Sequence, residues 1–128
     1  MTMTFINLPV RDLTTATEFY RAIGFTSDQT EPEGDSMVLT VSDTTRLVLH
    51  LRSGFEAYTG IATTDTATSR EVIVGLSASS RGQVDELVDQ AAVAGGEALG
   101  PGTVNGSMYM RGFRDLDGHQ WSFIHMAG

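Results

Sequence analysis

The chain has 128 residues, 41% of them apolar, with a formal net charge of -8 and no cysteine. That length suits one compact domain or two small fused modules. Disulfides and thiolate metal sites are excluded, and no apolar run approaches the ~20 residues that span a membrane.

The eight basic residues are scattered and outnumbered by 16 acidic ones, so a phosphate-backbone partner is not expected. An acidic surface serves solubility and steers cationic ligands. With no basic-then-apolar leader either, the expectation is a cytoplasmic protein without nucleic-acid or membrane partners.

Residues 3–10 alternate. Ile6, Leu8 and Val10 fall on one face; Met3, Phe5, Asn7 and Pro9 fall on the other, as in a strand. Asp12 or Thr14 then caps a helix striped by Leu13, Ala16, Phe19, Tyr20 and Ile23 and stopped at Gly24. Residues 26–35 are polar, with Pro32 and Gly34, and form a loop. Strands follow at 37–41 and 46–51. In the second, Leu47, Leu49 and Leu51 share one face, and Arg46, Val48 and His50 the other. Residues 53–69 are rich in Gly, Thr and Ala and suit a linker or lid, with Phe55 and Tyr58 either closing over a ligand or packing as anchors.

The pattern then restarts. Residues 71–78 place Val72, Val74, Leu76 and Ala78 opposite Glu71, Ile73, Gly75 and Ser77. Ser79 or Ser80 opens a helix striped by Val84, Leu87, Val88, Ala91 and Ala92, which Gly95 and Gly96 stop. Residues 97–100 make a short strand, and Pro101 and Gly102 a loop. The chain closes on a hairpin of 108–114 and 119–126. Its turn, 115–118, uses aspartates that bond their own backbone and a glycine that accepts positive φ.

Strand, helix, strand, strand, with room for another strand, is thus written twice at an offset of ~65–70 residues. Each helix covers one face of its sheet. Two sheets facing each other across a cleft, helices outside, would cover the rest.

Asn-Leu-Pro-Val-Arg-Asp-Leu, Phe-Tyr and Gly-Phe within 7–25, and Phe-Arg-Asp-Leu-Asp-Gly-His-Gln-Trp at 113–121, resemble the vicinal-oxygen-chelate superfamily. That superfamily includes glyoxalase I, the bleomycin and fosfomycin resistance proteins and the extradiol dioxygenases. The resemblance spans nearly the whole chain. It implies an α+β fold: one domain, 1–128, with βαβββ modules at 1–53 and 71–128 joined by 54–70, and mixed sheets forming a U-shaped, partly open groove. It also implies a homodimer, and a metal held by one side chain from each of four strands.

Those four positions fall on Phe5, His50 (Val48 if the register slips by two), Ile73 and Ser122. A divalent transition metal takes three or four N, O or S donors at about 2.0–2.3 Å. One imidazole, with Phe and Ile where donors belong, does not supply them, and the family's Lewis-acid chemistry then lacks its electrophile. No cofactor and no metal ligand are therefore expected. A divalent metal in a non-standard ligand set is the alternative.

The expected ligand-binding residues are Phe5, Asn7, Val48, His50, Ile73, Met108, Met110, Arg114, Ser122 and Ile124, with Ser77 and Met126 on the same faces. They are mostly apolar with a few polar groups, as in small-molecule sites, and methionine adapts to varied flat ligands. His50 is the candidate general base. Arg114 either binds a carboxylate or phosphate or pairs with Glu71. His119, Asp115 and Asp117 belong to the turn, and His125 and Trp121 to the helix side. No phosphate loop or nucleophile elbow is present.

Three functions follow. One is a metal-free binder of a cationic or aromatic small molecule, sequestering it as the bleomycin-resistance branch does. Another is a glyoxalase- or dioxygenase-type lyase, isomerase or oxidoreductase. The third is a subunit whose groove is filled.

Overall fold

The computed structural model describes residues 1–127, and they divide into two compact units, the first Met1–Thr64 and the second from Asp65 onward. The first unit runs β1 (Thr4–Val10), α1 (Leu13–Ala22), β2 (Ser36–Thr40), β3 (Thr45–Leu51) and α2 (Arg52–Thr59). Its sheet has the order β1-β3-β2, with β1 parallel and β2 antiparallel to β3.

Alternation does the sorting. Leu8 and Val10 of β1, Leu47 and Leu49 of β3 and Met37 and Leu39 of β2 are buried. They meet the α1 stripe of Leu13, Ala16, Phe19 and Tyr20. Asp12 caps α1 by accepting from the Thr15 N–H at 2.9 Å, a bond that holds its carboxyl below the usual range. Gly24, at φ 102°, ends the helix where a side chain would be strained.

The first sheet has three strands. Beside β2, where a further strand has room, there are two isolated bridges, Thr26 to Thr40 and Glu33 to Ser36. Side chains complete the edge. The Val38 N–H donates to Gln29 Oε1 and the Val38 carbonyl accepts from Ser27 Oγ, each at 3.0 Å. The segment around Pro32 and Gly34 cannot run as a ladder partner, so two polar side chains replace its backbone.

The stretch 53–69, expected as a linker or lid, begins with a helix. α2 ends at Gly60, φ 79°, whose N–H returns to the Glu56 carbonyl. Gly54 and Thr59 hide it from composition. It is held by contact with β1 and β3, the usual source of stability for so short a helix. Gly54 eases the approach of Asp35, whose Cβ would lie 3.2 Å from an added Cβ, a tight contact.

The second unit contains β4 (Ile73–Ser77), α3 (Arg81–Val93), β5 (Glu97–Asn105), β6 (Met108–Arg114) and β7 (Gln120–Met126) in the order β4-β7-β6-β5. β4 is parallel to β7, and the other pairs are antiparallel. Ser80 caps α3 through the Gln83 N–H, and Gln83 Oε1 reaches back to the Ser79 N–H at 2.6 Å, a reciprocal capping arrangement.

Val84, Val88 and Ala91 of α3 are buried, as are Phe113, Trp121 and Phe123 of the sheet. The Phe113 ring stacks 6.3 Å from Trp121 and 5.8 Å from Phe123. Arg111 adds a polar clamp, donating to Asp89 at 2.9 Å while Tyr109 donates to Asp85 at 2.7 Å.

β5 is longer than the expected 97–100. Its register to β6 shifts between Leu99 and Thr103, and this irregularity absorbs Gly100, Pro101 and Gly102 before pairing resumes. A Cβ on Gly102 would collide with the Tyr109 ring, so glycine is required at that crossing. The expected hairpin turn forms. Asp115 accepts from the Asp117 and His119 N–H groups at 3.0 and 2.9 Å, and Gly118 has φ 81°. No helix among the described residues is long and apolar enough to cross a membrane.

Candidate functional site

Each sheet has one face turned away from its buried core. On the first, β1 and β3 pair Phe5 with Arg46, Asn7 with Val48 and Pro9 with His50. Phe5, Asn7, Val48 and His50 therefore share the face opposite Leu8, Val10, Leu47 and Leu49. Phe5 keeps 58% of its surface exposed.

His50 Nε2 lies 2.9 Å from Asn7 Oδ1, while Asn7 Nδ2 is directed to the Phe5 carbonyl. An amide oxygen only accepts, so Nε2 carries the proton and the lone pair rests on Nδ1. Phe55 of α2 lies 5.9 Å away, tilted 57° to the imidazole. Desolvation pushes the His50 pKa down. The group is then neutral near pH 7, a base and hydrogen-bond acceptor.

On the second sheet, register builds rows across the strands. One row is Ile73, Gln120, Arg114 and Glu97; the next is Gly75, Ser122, Gly112 and Leu99; a third is Ser77, Ile124, Met110 and Thr103. Met108 and Met126 pair at the far end. The expected residues Ile73, Met108, Met110, Arg114, Ser122 and Ile124 thus lie on one face of one sheet.

Ser122 stands between two glycines. A Cβ on Gly75 would lie 3.1 Å from Ile124 Cδ1 and 3.4 Å from Ser122 Oγ; one on Gly112 would lie 3.5 Å from Leu99 Cδ1. The row is therefore a low floor with Ile124 and Leu99 leaning over it. Arg114 pairs with Glu97, Nη1 to Oε1 at 3.1 Å, and not with Glu71. Its Nε is buried without an acceptor.

Sequence reasoning did not flag Gly112, Glu97 or Leu99 for this face. A glycine inside a strand was the available signal for Gly112. Glu97 and Leu99 had none, since their neighbours are set by cross-strand pairing.

The four positions at which the resemblance implies metal ligands offer one imidazole nitrogen, one hydroxyl and two hydrocarbon side chains. Nε2 of that imidazole is already committed to Asn7. This donor set does not fit a three- or four-coordinate transition metal. Among the described residues, no three His, Cys, Asp or Glu side chains gather elsewhere as a ligand set.

The family model described as the Glyoxalase/Bleomycin resistance protein/Dioxygenase superfamily matches residues 2–123. No curated protein matches the chain. Among solved structures, a hypothetical protein of S. aureus is similar, with 28% identity and TM-score 0.84 over 98% of this chain and 93% of that one. A glyoxalase/bleomycin resistance protein/dioxygenase family enzyme of Burkholderia phytofirmans PsJN matches at 14% identity and TM-score 0.84, covering 99% of this chain and all (100%) of that one. A glyoxalase-related enzyme of Fulvimarina pelagi matches at 21% identity and TM-score 0.80, over 98% and 88%. The last two likenesses concern the fold.

Proposed function

This chain belongs to the Glyoxalase/Bleomycin resistance protein/Dioxygenase superfamily, and from that premise we propose that it binds a small, flat, largely apolar molecule without a metal at the family's ligand positions. The observation that carries this reading is the make-up of the two open faces. On the first sheet, Phe5 and Val48 accompany His50 Nδ1; on the second, taken by itself, Ile73, Met110 and Ile124 accompany the Ser122 hydroxyl and Arg114 Nε, and each of these polar groups has bonding capacity left over. Sites for small organic ligands combine apolar area with sparse orienting groups in this way.

Binding without chemical change, as in drug sequestration, needs nothing more than these contacts. The acidic balance of -8 favours the approach of cations at long range. Contacts at the faces then decide which ligand stays.

Neutral His50, with its lone pair on Nδ1, supports a second reading, proton abstraction from a bound substrate. Its Nε2–H bond to Asn7 fixes the tautomer that such a base requires.

The test is a thermal-shift screen of aromatic cations, aromatic acids and neutral heteroaromatics, run alongside Zn, Ni, Mn and Fe salts. A ligand that binds only the folded state raises Tm by mass action. The expected result is a rise with one organic class and none with the metals. A metal-specific rise lost in His50→Gln would overturn the metal-free reading. No organic hit would overturn the binding reading itself.

A further inference from the structure

The open face of the second sheet carries one strand-borne cation among the described residues, Arg114, and its guanidinium is used on one edge only. Nη1 donates to Glu97 Oε1 at 3.1 Å. Nε is closed off from solvent and has no acceptor. A guanidinium presents two forks of parallel N–H groups. The side-on fork, formed by Nε and Nη2, takes both oxygens of one carboxylate. Glu97 occupies the other edge, so that fork is unused. A buried donor with no acceptor is unfavourable, and a group that enters beside it removes the penalty.

A second open group lies next to it. Arg114 pairs with Gln120 and Gly112 with Ser122, which makes Ser122 a diagonal neighbour of Arg114, with Cβ atoms ~7–8 Å apart or less. Glycines in register on both adjoining strands, Gly75 and Gly112, leave no Cβ beside the Ser122 hydroxyl. That hydroxyl makes no side-chain hydrogen bond among the described residues. Past it, Ile124 and Met110 continue the same face as apolar surface.

We infer that Arg114 and Ser122 form a carboxylate subsite, and that the ligand of this face is a flat apolar body bearing one carboxylate. Nε has no accessible surface while Nη1 is held by Glu97, so the carboxylate enters as the guanidinium, 42% exposed as a side chain, turns from Glu97. It then takes the Nε/Nη2 fork and the serine hydroxyl, and the apolar body lies toward Ile124 and Met110. Glu97, with 63% of its side chain exposed, is the competitor that the carboxylate displaces or shares. This narrows the ligand class proposed above and rests on that reading. The overall acidity opposes an anion at long range, but salt screens that field within about 8–10 Å, whereas a bidentate contact acts locally.

The test uses naphthoate, naphthamide and naphthylmethylamine as matched probes, with calorimetry and ¹H–¹⁵N spectra of the arginine side chains. All eight basic residues are arginines, so the Nε region holds eight signals. Naphthoate is expected to bind about tenfold or more tighter than the amide or the amine and to shift one Nε signal, which is missing in Arg114→Gln. Arg114→Gln is expected to abolish the preference, with naphthoate falling to the affinity of the amide. Arg114→Lys keeps the charge without the fork and is expected to recover only part of it. Glu97→Gln, which removes the competitor, is expected to raise naphthoate affinity.

Equal affinity for naphthoate and naphthamide would overturn the carboxylate subsite and leave small-molecule binding standing, as would a naphthoate preference that survives Arg114→Gln. Failure of all three probes would overturn both.

Discussion

His50 lies beside Phe55 and Asn7, and desolvation holds its pKa below the ordinary histidine value. The unfolded chain therefore takes up this proton first as pH falls below about 6.5. Stability attached to the neutral imidazole is complete above that pH, declines as pH drops, and levels off below the folded pKa. His50→Gln is expected to flatten this part of the profile relative to the parent, measured as urea midpoints between about pH 5 and pH 8. His119 and His125 remain in both proteins, so the difference isolates His50. Parallel profiles would mean that the imidazole is as well solvated in the fold as out of it. The residues at the four expected ligand positions, Phe5, His50, Ile73 and Ser122, were all visible as letters, and the expectation of a poor metal-ligand set rested on them. Two things were not: that Asn7 takes His50 Nε2, and that Arg114 pairs with Glu97 instead of Glu71. Both depend on which strand lies beside which.

Strand β3 separates its two faces residue by residue. Leu49 is fully buried under α1, while Val48 belongs to the open face. Leu49→Ala is expected to cost about 2–5 kcal/mol through lost burial and the cavity left behind. Val48→Ala is expected to cost about 1 kcal/mol or less, chiefly as strand preference. Denaturant titration of the two variants measures this, and equal losses would mean that the outward face is packed as tightly as the inward one. Long alternating or helical segments were legible because period 2 and period 3.6 are carried by local sequence; β1, α1, β3, α3 and the final hairpin are of this kind. α2 was not, since eight residues with an internal glycine have no local reason to be helical and are stabilised by the strands they touch. β5 was cut short for a related reason. Gly100-Pro101-Gly102 has the punctuation of a loop, yet pairing resumes beyond the irregularity once β6 is alongside.

At the level of the whole molecule, large apolar side chains remain exposed on edge strands: Phe5 of β1 at 58% and Ile73 of β4 at 57%. Open strand edges and apolar patches of this sort are usually covered in a stable soluble protein. We expect a second copy of the chain to cover them. Sedimentation at tens of micromolar (a range of roughly 10–100 times a micromolar dissociation constant) should then give a homodimer, and Phe5→Glu should shift it toward monomer. A monomer for the parent chain at that concentration would overturn the expectation. The sequence alone determined the doubled architecture and the inward and outward faces of most strands, because both follow from side-chain identity and local periodicity. Only the tertiary structure decided the three-stranded form of the first sheet, the helix after β3, the tautomer of His50 and the unused fork of Arg114. Each of these depends on partners that are distant along the chain, and no local pattern encodes which backbone or side chain will arrive to satisfy a given donor.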